Sequence, residues 1–357
     1  NIDEQIRTLK RCVQIVVGTP CRTLDLIKRR ILSLDRIQWL VLDEADEMLN
    51  MGFKEELDNI LLKTPSDKQT LLFSATFPRE VEAIAQNYMH DPVEISAGKK
   101  NVGADSVEHE YYLVSDRNRY PALKRIADIN PDIYSIVFCR TRRETKDIAE
   151  KLIQDGYNAD ALHGDLSQAQ RDLVMQKFRN KHLQIQVATD VAARGLDVND
   201  LTHVINYKLP YQTENYTHRS GRTGRAGKQG ISVAIITEKE KNKLKPIERK
   251  IKKSFLQKQV PQGKEICEVQ LYKLIDKCVD LGFKRVRIHA LLDGRDVGEK
   301  SALEYVIPTE DKLSMICKEK GLDYCIASGG GRMEVTMDRY NADWDIVRRG
   351  WEAHVSG

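Results

Sequence analysis

The chain has seven cysteines among 357 residues and no C-x-x-C pair, so neither a zinc ribbon nor a disulfide framework is expected. Unpatterned thiols of odd number point instead to a reducing compartment, and the expected localisation is cytoplasmic. No run approaches the ~18 consecutive apolar residues of a membrane span, which rules out an integral membrane protein and makes a membrane partner unexpected. Asn1 is followed by no basic-then-apolar leader, so no secretory signal is visible, and the chain is expected to begin inside something larger. No fixed-period repeat and no low-complexity tract occurs.

What is present suits a soluble α/β protein. Hydrophobic residues make up 41%, and the 21 glycines bring the apolar class to about 47%, ordinary for globular chains. The length suggests two or three domains. Formal charge is +4, but residues 278–357 are net −2, and Glu238–Lys258 alone carries nine basic and three acidic residues. The positive excess is thus one stripe, either the solvated face of an amphipathic helix or a set of phosphate contacts.

Continuous apolar runs that alternate with amphipathic stretches indicate buried parallel strands between helices. In residues 1–97 strands are expected at Val13–Val17, Trp39–Leu42, Thr70–Phe73 and Val93–Ile95, with helices at Thr23–Arg30, Lys54–Leu62 and Glu80–Tyr88. A Gly-, Lys- and Asn-rich linker follows at about 98–106. The alternation restarts over 107–237, with strands at Tyr111–Val114, Ser135–Phe138, Ala159–Leu162, Ile185–Ala188, His203–Asn206 and Ser232–Ile236. Helices are expected there at Pro121–Asp128, Thr145–Gln154 and Ala169–Arg179. A basic helical extension spans 238–277. Residues 278–357 are α/β again: strand Arg287–Leu292, a helix across Ala302–Lys318, strand Tyr324–Ala327 and helix Asp343–Val355.

Several segments carry chemistry. Asp43-Glu44-Ala45-Asp46 follows the strand Trp39–Leu42, and the carboxyl end of a parallel strand is where open α/β sheets place ligands. Mg²⁺ favours such carboxylates, although an acidic first helical turn has the same composition. A second strand ends in Ser74-Ala75-Thr76. Further on come Thr189-Asp190-Val191-Ala192-Ala193-Arg194-Gly195-Leu196-Asp197 and then His218-Arg219-Ser220-Gly221-Arg222-Thr223-Gly224-Arg225. Arginine forks spaced by glycines suit polyphosphate, or a solvated basic loop.

In this order and spacing, residues from about 1 to 277 resemble the DEAD-box ATP-dependent RNA helicases, which have two RecA-like parallel-sheet lobes. The resemblance implies ATP and Mg²⁺ as cofactors and RNA as a partner, bound along its backbone without sequence preference. It implies that Asp43 holds Mg²⁺, that Glu44 orients the attacking water, and that Arg222 and Arg225 act as arginine fingers. Asp46, Asp197 and His218 would be associated with the nucleotide and Mg²⁺. Ser74 and Thr76 would couple nucleotide state to RNA opening, and Gln168 and Arg171 would help hold the closed form. Thr19, Arg22, Arg140, Thr189 and Asp190 would contact RNA. One departure is Cys21, where the family has Gly; if positive φ or close RNA approach is needed there, the grip weakens.

A second departure weighs more. A phosphate-cradling loop needs G-x-x-x-x-G-K-[ST]. Gly-Lys occurs at Gly98-Lys99, Gly227-Lys228 and Gly263-Lys264, followed by Lys100, Gln229 and Glu265, never Ser or Thr. Residues 1–97 are therefore expected to be the C-terminal part of lobe one, with apolar strand faces exposed, and ATP turnover at family-like rates is not expected. Lobe two, 107–237, should fold.

The tail resembles another family. His289-Ala290-Leu291-Leu292-Asp293-Gly294-Arg295-Asp296-Val297, Ala327-Ser328-Gly329-Gly330-Gly331-Arg332-Met333 and Met337-Asp338-Arg339-Tyr340 are similar to cofactor-independent phosphoglycerate mutase. That resemblance implies a partial substrate-binding domain in which Arg295, Asp296, Arg332 and Arg339 hold phosphoglycerate. The family's nucleophilic serine and Mn²⁺ ligands have no counterpart, so neither mutase activity nor Mn²⁺ is expected. The seam is expected within Ile266–Leu281, where helical spacing of apolar residues runs straight through. A join inside one helix looks more like a rearranged reading frame than a two-function enzyme. Three readings stay open: a helicase lacking its phosphate loop, a non-catalytic RNA-binding module, and a phosphoglycerate-binding fragment.

Overall fold

In a computed structural model, residues 2–11, 13–96, 106–193, 198, 200–225, 227–292, 301–331 and 344–355 are described. The chain divides into two units: residues 1–109 with 210–231 and 242–255, and residues 110–209 with 232–241 and 256–357.

The first unit begins with helices α1 (Ile2–Leu9) and α2 (Pro20–Lys28), the latter opened by a proline at its first position, where no N–H is needed. Strand β1 (Trp39–Leu42), helices α3 (Ala45–Asn50) and α4 (Lys54–Leu61), strand β2 (Gln69–Leu72) and helix α5 (Arg79–Tyr88) follow. β1 and β2 pair in parallel, Leu42 opposite Leu72. Leu42, Leu57, Leu61 and Ile84 form the small core beneath them. Two expected strands are absent. Val13–Val17 and Val93–Ile95 have no ladder, and Ile15, Val17, Val93 and Ile95 are each more than 80% exposed. An apolar run alone does not make a strand; it needs a neighbour to take its backbone N–H and C=O groups. Trp39, Val41 and Phe73 are exposed too, as the sequence led one to expect of this segment.

Strand β3 (Val107–Leu113) leads to helix α6 (Arg119–Asp128), strand β4 (Ser135–Cys139), helix α7 (Arg142–Gln154), strand β5 (Ala159–Leu162), helix α8 (Gln168–Arg179) and strands β6 (Ile185–Thr189) and β7 (His203–Asn206). Helix α9 (Thr213–Ser220), strand β8 (Gly230–Ile236), helix α10 (Leu244–Ile251) and strand β9 (Leu256–Lys258) complete this stretch. The sheet has the order β5-β6-β4-β7-β8-β3-β9. Pairs β5–β6, β6–β4 and β4–β7 are parallel. β4, β6 and β7 are buried along their whole length, which is why they read as unbroken apolar runs. Tyr134, Ile136, Phe138, Phe178 and Val204 centre the core on one face. Local signals agree with the packing: Thr141 caps α7 by accepting the Glu144 N–H, and Ser167 with Gln170 forms a capping box on α8.

The basic stretch Glu238–Lys258 is not one solvated helix. It is a 3₁₀ turn over Glu238–Lys243, then α10, whose Leu244, Ile247 and Ile251 are buried, then β9, which extends the sheet beside β3. Helix α11 (Gly263–Asp280) runs through the expected seam without a break. Strand β10 (Arg285–Leu292) pairs in parallel with β11 (Asp323–Gly331), between which lies helix α12 (Leu303–Lys320); helix α13 is Trp344–Val355. Ile275 of α11 joins Leu313, Ile316 and Tyr324 in a separate core. No helix among the described residues is long and apolar enough to cross a membrane. Six of the cysteines lie among the described residues and are unpaired.

Candidate functional site

The acidic segment sits where β1 ends and α3 begins. Leu42 is the last buried strand residue, Asp43 and Glu44 are exposed, and Asp46 is buried in the first turn of α3. The turn is held by unusual backbone geometry: Glu44 has φ 51 and ψ 47, the left-handed region that costs a side-chain-bearing residue about 1–3 kcal/mol. Its N–H donates to Asp43 Oδ1 at 2.9 Å, and the next N–H, of Ala45, donates to the Phe73 carbonyl at 3.1 Å. The end of β1 is thereby tied to the end of β2.

Ser74 and Thr76, just past β2, close on Asp46. One oxygen of Asp46, Oδ2, accepts the Thr76 N–H at 2.8 Å and the Thr76 hydroxyl at 2.6 Å. Ser74 Oγ accepts the Asp46 N–H at 3.2 Å and donates to the Thr76 carbonyl at 2.6 Å. His218, on α9, brings Nε2 to 3.4 Å from both Asp46 Oδ2 and Glu47 Oε1, an ion-pair distance. Burial alone would raise the Asp46 carboxyl, but His218 and the two Thr76 donors outweigh it and hold it well below the usual carboxylate range. For His218, burial works against the charged imidazolium, yet Asp46, Glu47 and Glu44 raise it above its ordinary value. The cluster is a buried carboxylate held by a hydroxyl and a backbone N–H, with the His218 imidazole beside it, built from three separate segments.

The arginine loop follows α9. Arg219 and Thr223 are buried, and Arg225 donates from Nε to the Gly221 carbonyl at 2.8 Å; Arg222 is half-buried. Gly224 is required here: φ is +68, and a Cβ would lie 2.5 Å from Val107 Cγ2 and 2.8 Å from Ser106 Oγ. Ser106 also donates to the Gly224 carbonyl at 2.5 Å, which anchors the loop. Thr19 precedes α2, and Arg22 lies in its first turn; both are exposed. Cys21 reaches Glu56 Oε1 at 3.6 Å through Sγ.

In the second unit Arg140 follows β4 and is more constrained than a surface contact. Its Nε donates to the Leu209 carbonyl at 2.7 Å, and its Nη2 lies 3.4 Å from Glu240 Oε1. Thr189 ends β6 and its hydroxyl accepts the Ala192 N–H at 3.3 Å; Asp190 is half-buried beside it. On α8, Gln168 donates to Asp172 at 2.8 Å, and Arg171 to the Ala192 carbonyl at 3.4 Å. Asp197, Arg295, Asp296, Arg332 and Arg339 lie outside the described residues.

Three buried charged residues near these groups escaped sequence reasoning. Glu47 was hidden within an acidic run that reads as a solvated first turn, yet it is buried against His218. Arg119 and Glu240 were hidden by their charge. Arg119 is 2% exposed and pairs with Asp116 at 2.8 Å, with the Tyr207 carbonyl at 2.9 Å, and with the Ile235 carbonyl and Glu240. The only signal was that Glu240 sits just past an apolar strand.

Residues 1–84 match the family described as DEAD/DEAH box helicase, and 118–227 match the helicase conserved C-terminal domain. The ATP-dependent RNA helicase CshA of Listeria monocytogenes is 44% identical over 277 residues, 78% of this chain and 53% of that protein. Its Bacillus subtilis counterpart is 42% identical over 78% of this chain and 56% of its own length. The chain is a DEAD-box helicase family member over those residues. It spans about half the length of the curated relatives it matches. Among solved structures, Saccharomyces cerevisiae Dbp5 bound to RNA and ADP BeF3 is 28% identical with a TM-score of 0.64, covering 75% of this chain and 69% of that one. The α/β class expected from the strand pattern, and the RecA-like parallel sheet that the resemblance implied, are therefore the fold. Residues 267–357 match the family described as BPG-independent PGAM N-terminus, so the tail has a separate relationship.

Proposed function

We propose that this chain grips the phosphate backbone of single-stranded RNA and does not, as written, turn over ATP at the rates of its family. The observation that supports this is a mismatch. Asp46, Ser74, Thr76 and His218 come together, yet the sequence holds no G-x-x-x-x-G-K-[ST] loop.

The chemistry of the donor set argues the same way. Asp43 is an exposed carboxylate of the type that holds Mg²⁺, and Glu44 beside it is of the type that orients a water. Mg²⁺ takes only one or two carboxylates and relies on substrate phosphates and waters for the rest. When bound, it would neutralise charge on the phosphates. Arg222 and Arg225 supply guanidinium groups for the same purpose. The sequence holds no G-x-x-x-x-G-K-[ST] motif, the loop whose backbone amides wrap the phosphate oxygens. Among the described residues no group of three or more His, Cys, Asp or Glu is placed to hold a metal alone.

RNA binding rests on Thr19, Arg22, Arg140, Thr189 and Asp190, and on basic side chains such as Lys245 and Arg249. Contacts of this kind read charge and spacing, not base identity. Binding of a labelled uridine oligomer to the full chain, titrated across salt with and without Mg²⁺-ATP, tests the reading. Expected is a log–log salt slope of about −0.7 per phosphate contact, with the same affinity in both nucleotide conditions. Salt-independent binding, or RNA binding that requires ATP, overturns it.

A further inference from the structure

Glu240 stands out as a buried carboxylate that none of the roles above uses. It lies in the 3₁₀ turn after β8, is 9% exposed, and gathers four donors. Oε2 accepts the Thr237 N–H at 3.1 Å and its hydroxyl at 3.2 Å, and also meets Arg119 Nη2. Oε1 faces Arg140 Nη2 at 3.4 Å.

From this geometry we infer that Glu240 is a positioning residue for RNA binding, holding the Arg140 guanidinium in the orientation that meets a phosphate. Arginine is planar and forked, so two anchored nitrogens fix the plane of the whole group. The Leu209 carbonyl holds Nε at 2.7 Å and Glu240 holds one end of the fork. The Arg140 side chain keeps 16% exposure, enough to present an edge to a ligand. Further bonds keep the arrangement from shifting. The Arg140 N–H donates to Glu144 Oε2 at 3.1 Å, Lys208 pairs with Glu144 at 2.7 Å, and Arg119 bonds the carbonyls of Tyr207 and Ile235. Glu240 therefore joins the ends of β4 and β8 and the start of α6 through charges that balance in a low-dielectric site.

This inference rests on the reading that Arg140 touches RNA, and a double-mutant cycle separates the two. Arg140→Ala and Glu240→Gln in the full chain are each expected to weaken binding of a uridine oligomer about tenfold. The double variant is expected to be weaker by the same tenfold, because Glu240 acts on RNA binding only through Arg140. A merely structural glutamate would instead give multiplied losses, about a hundredfold, and that result overturns the inference alone. Wild-type affinity for Arg140→Ala overturns both the Arg140 contact and the role of Glu240. Should Glu240→Gln fail to fold, Arg140→Lys serves. It keeps the charge but loses the fork, and is expected to bind as weakly as Arg140→Ala; wild-type affinity for it overturns the need for a held plane.

Discussion

Asp46 and Thr76, thirty residues apart, share a single carboxylate oxygen: the Thr76 N–H and hydroxyl both donate to Asp46 Oδ2, at 2.8 and 2.6 Å. This places the end of β2 on the first turn of α3, and it makes the buried charge dependent on a side chain that has no charge of its own.

Thr76→Val removes one donor from a buried carboxylate while keeping the volume. Loss of a hydrogen bond to a charged group costs about 1.5–3 kcal/mol. Urea unfolding followed by a probe in the first unit should show that loss, and an unchanged midpoint would mean that the hydroxyl does not hold Asp46.

Gly224→Ala forces a Cβ to within 2.5 Å of Val107 Cγ2 at a φ of +68. A cost of about 1–3 kcal/mol is expected for the backbone conformation, with greater protease sensitivity in the arginine loop. A variant as stable as the parent would show that the loop can adopt a different conformation.

Lys245 and Arg249 are exposed on α10, whereas Leu244, Ile247 and Ile251 of the same helix are buried. Deleting the segment would therefore unfold its surroundings, so the charge must be tested by substitution. Replacing both basic residues with alanine should make the salt slope of RNA binding shallower by about 0.7 for each phosphate no longer neutralised. An unchanged slope would return α10 to the status of a solvated face.

His203, at the start of β7, is pushed down to about 4 by burial, with only Thr202 Oγ1 at 2.9 Å from its Nδ1. The unfolded chain protonates this imidazole near its ordinary 6.5, and the folded chain does so only near 4. Between those values the unfolded state binds more protons, so stability falls as pH drops through the window and recovers as it rises. The contribution is about 3 kcal/mol at most. His203→Gln should flatten the decline in melting temperature between pH 6.5 and 4. A decline identical to the parent's would place the acid sensitivity in other groups.

The sequence was most readable where one face decides the matter. β1, β5 and β7 begin and end at the expected residues because their apolar runs are bounded by turns and matched by neighbours. Val13–Val17 has the same composition, but strand formation needs a partner that composition does not report. The site divides similarly. Asp46, Ser74, Thr76 and His218 could be named from motif order, and the fold brings all four together. The left-handed Glu44 could not be foreseen, since sequence favours glycine there. Nor could the Arg119–Glu240–Arg140 network, because charged residues read as surface until a packed neighbour neutralises them.

The central proposal is that the acids after β1 and the arginines after α9 do not cleave a triphosphate without a loop to hold its oxygens. Phosphate release from Mg²⁺-ATP by the purified full chain, with and without saturating single-stranded RNA, tests it most directly. The account predicts background release in both conditions while RNA remains bound. RNA-stimulated release, abolished by Asp43→Asn, would contradict it.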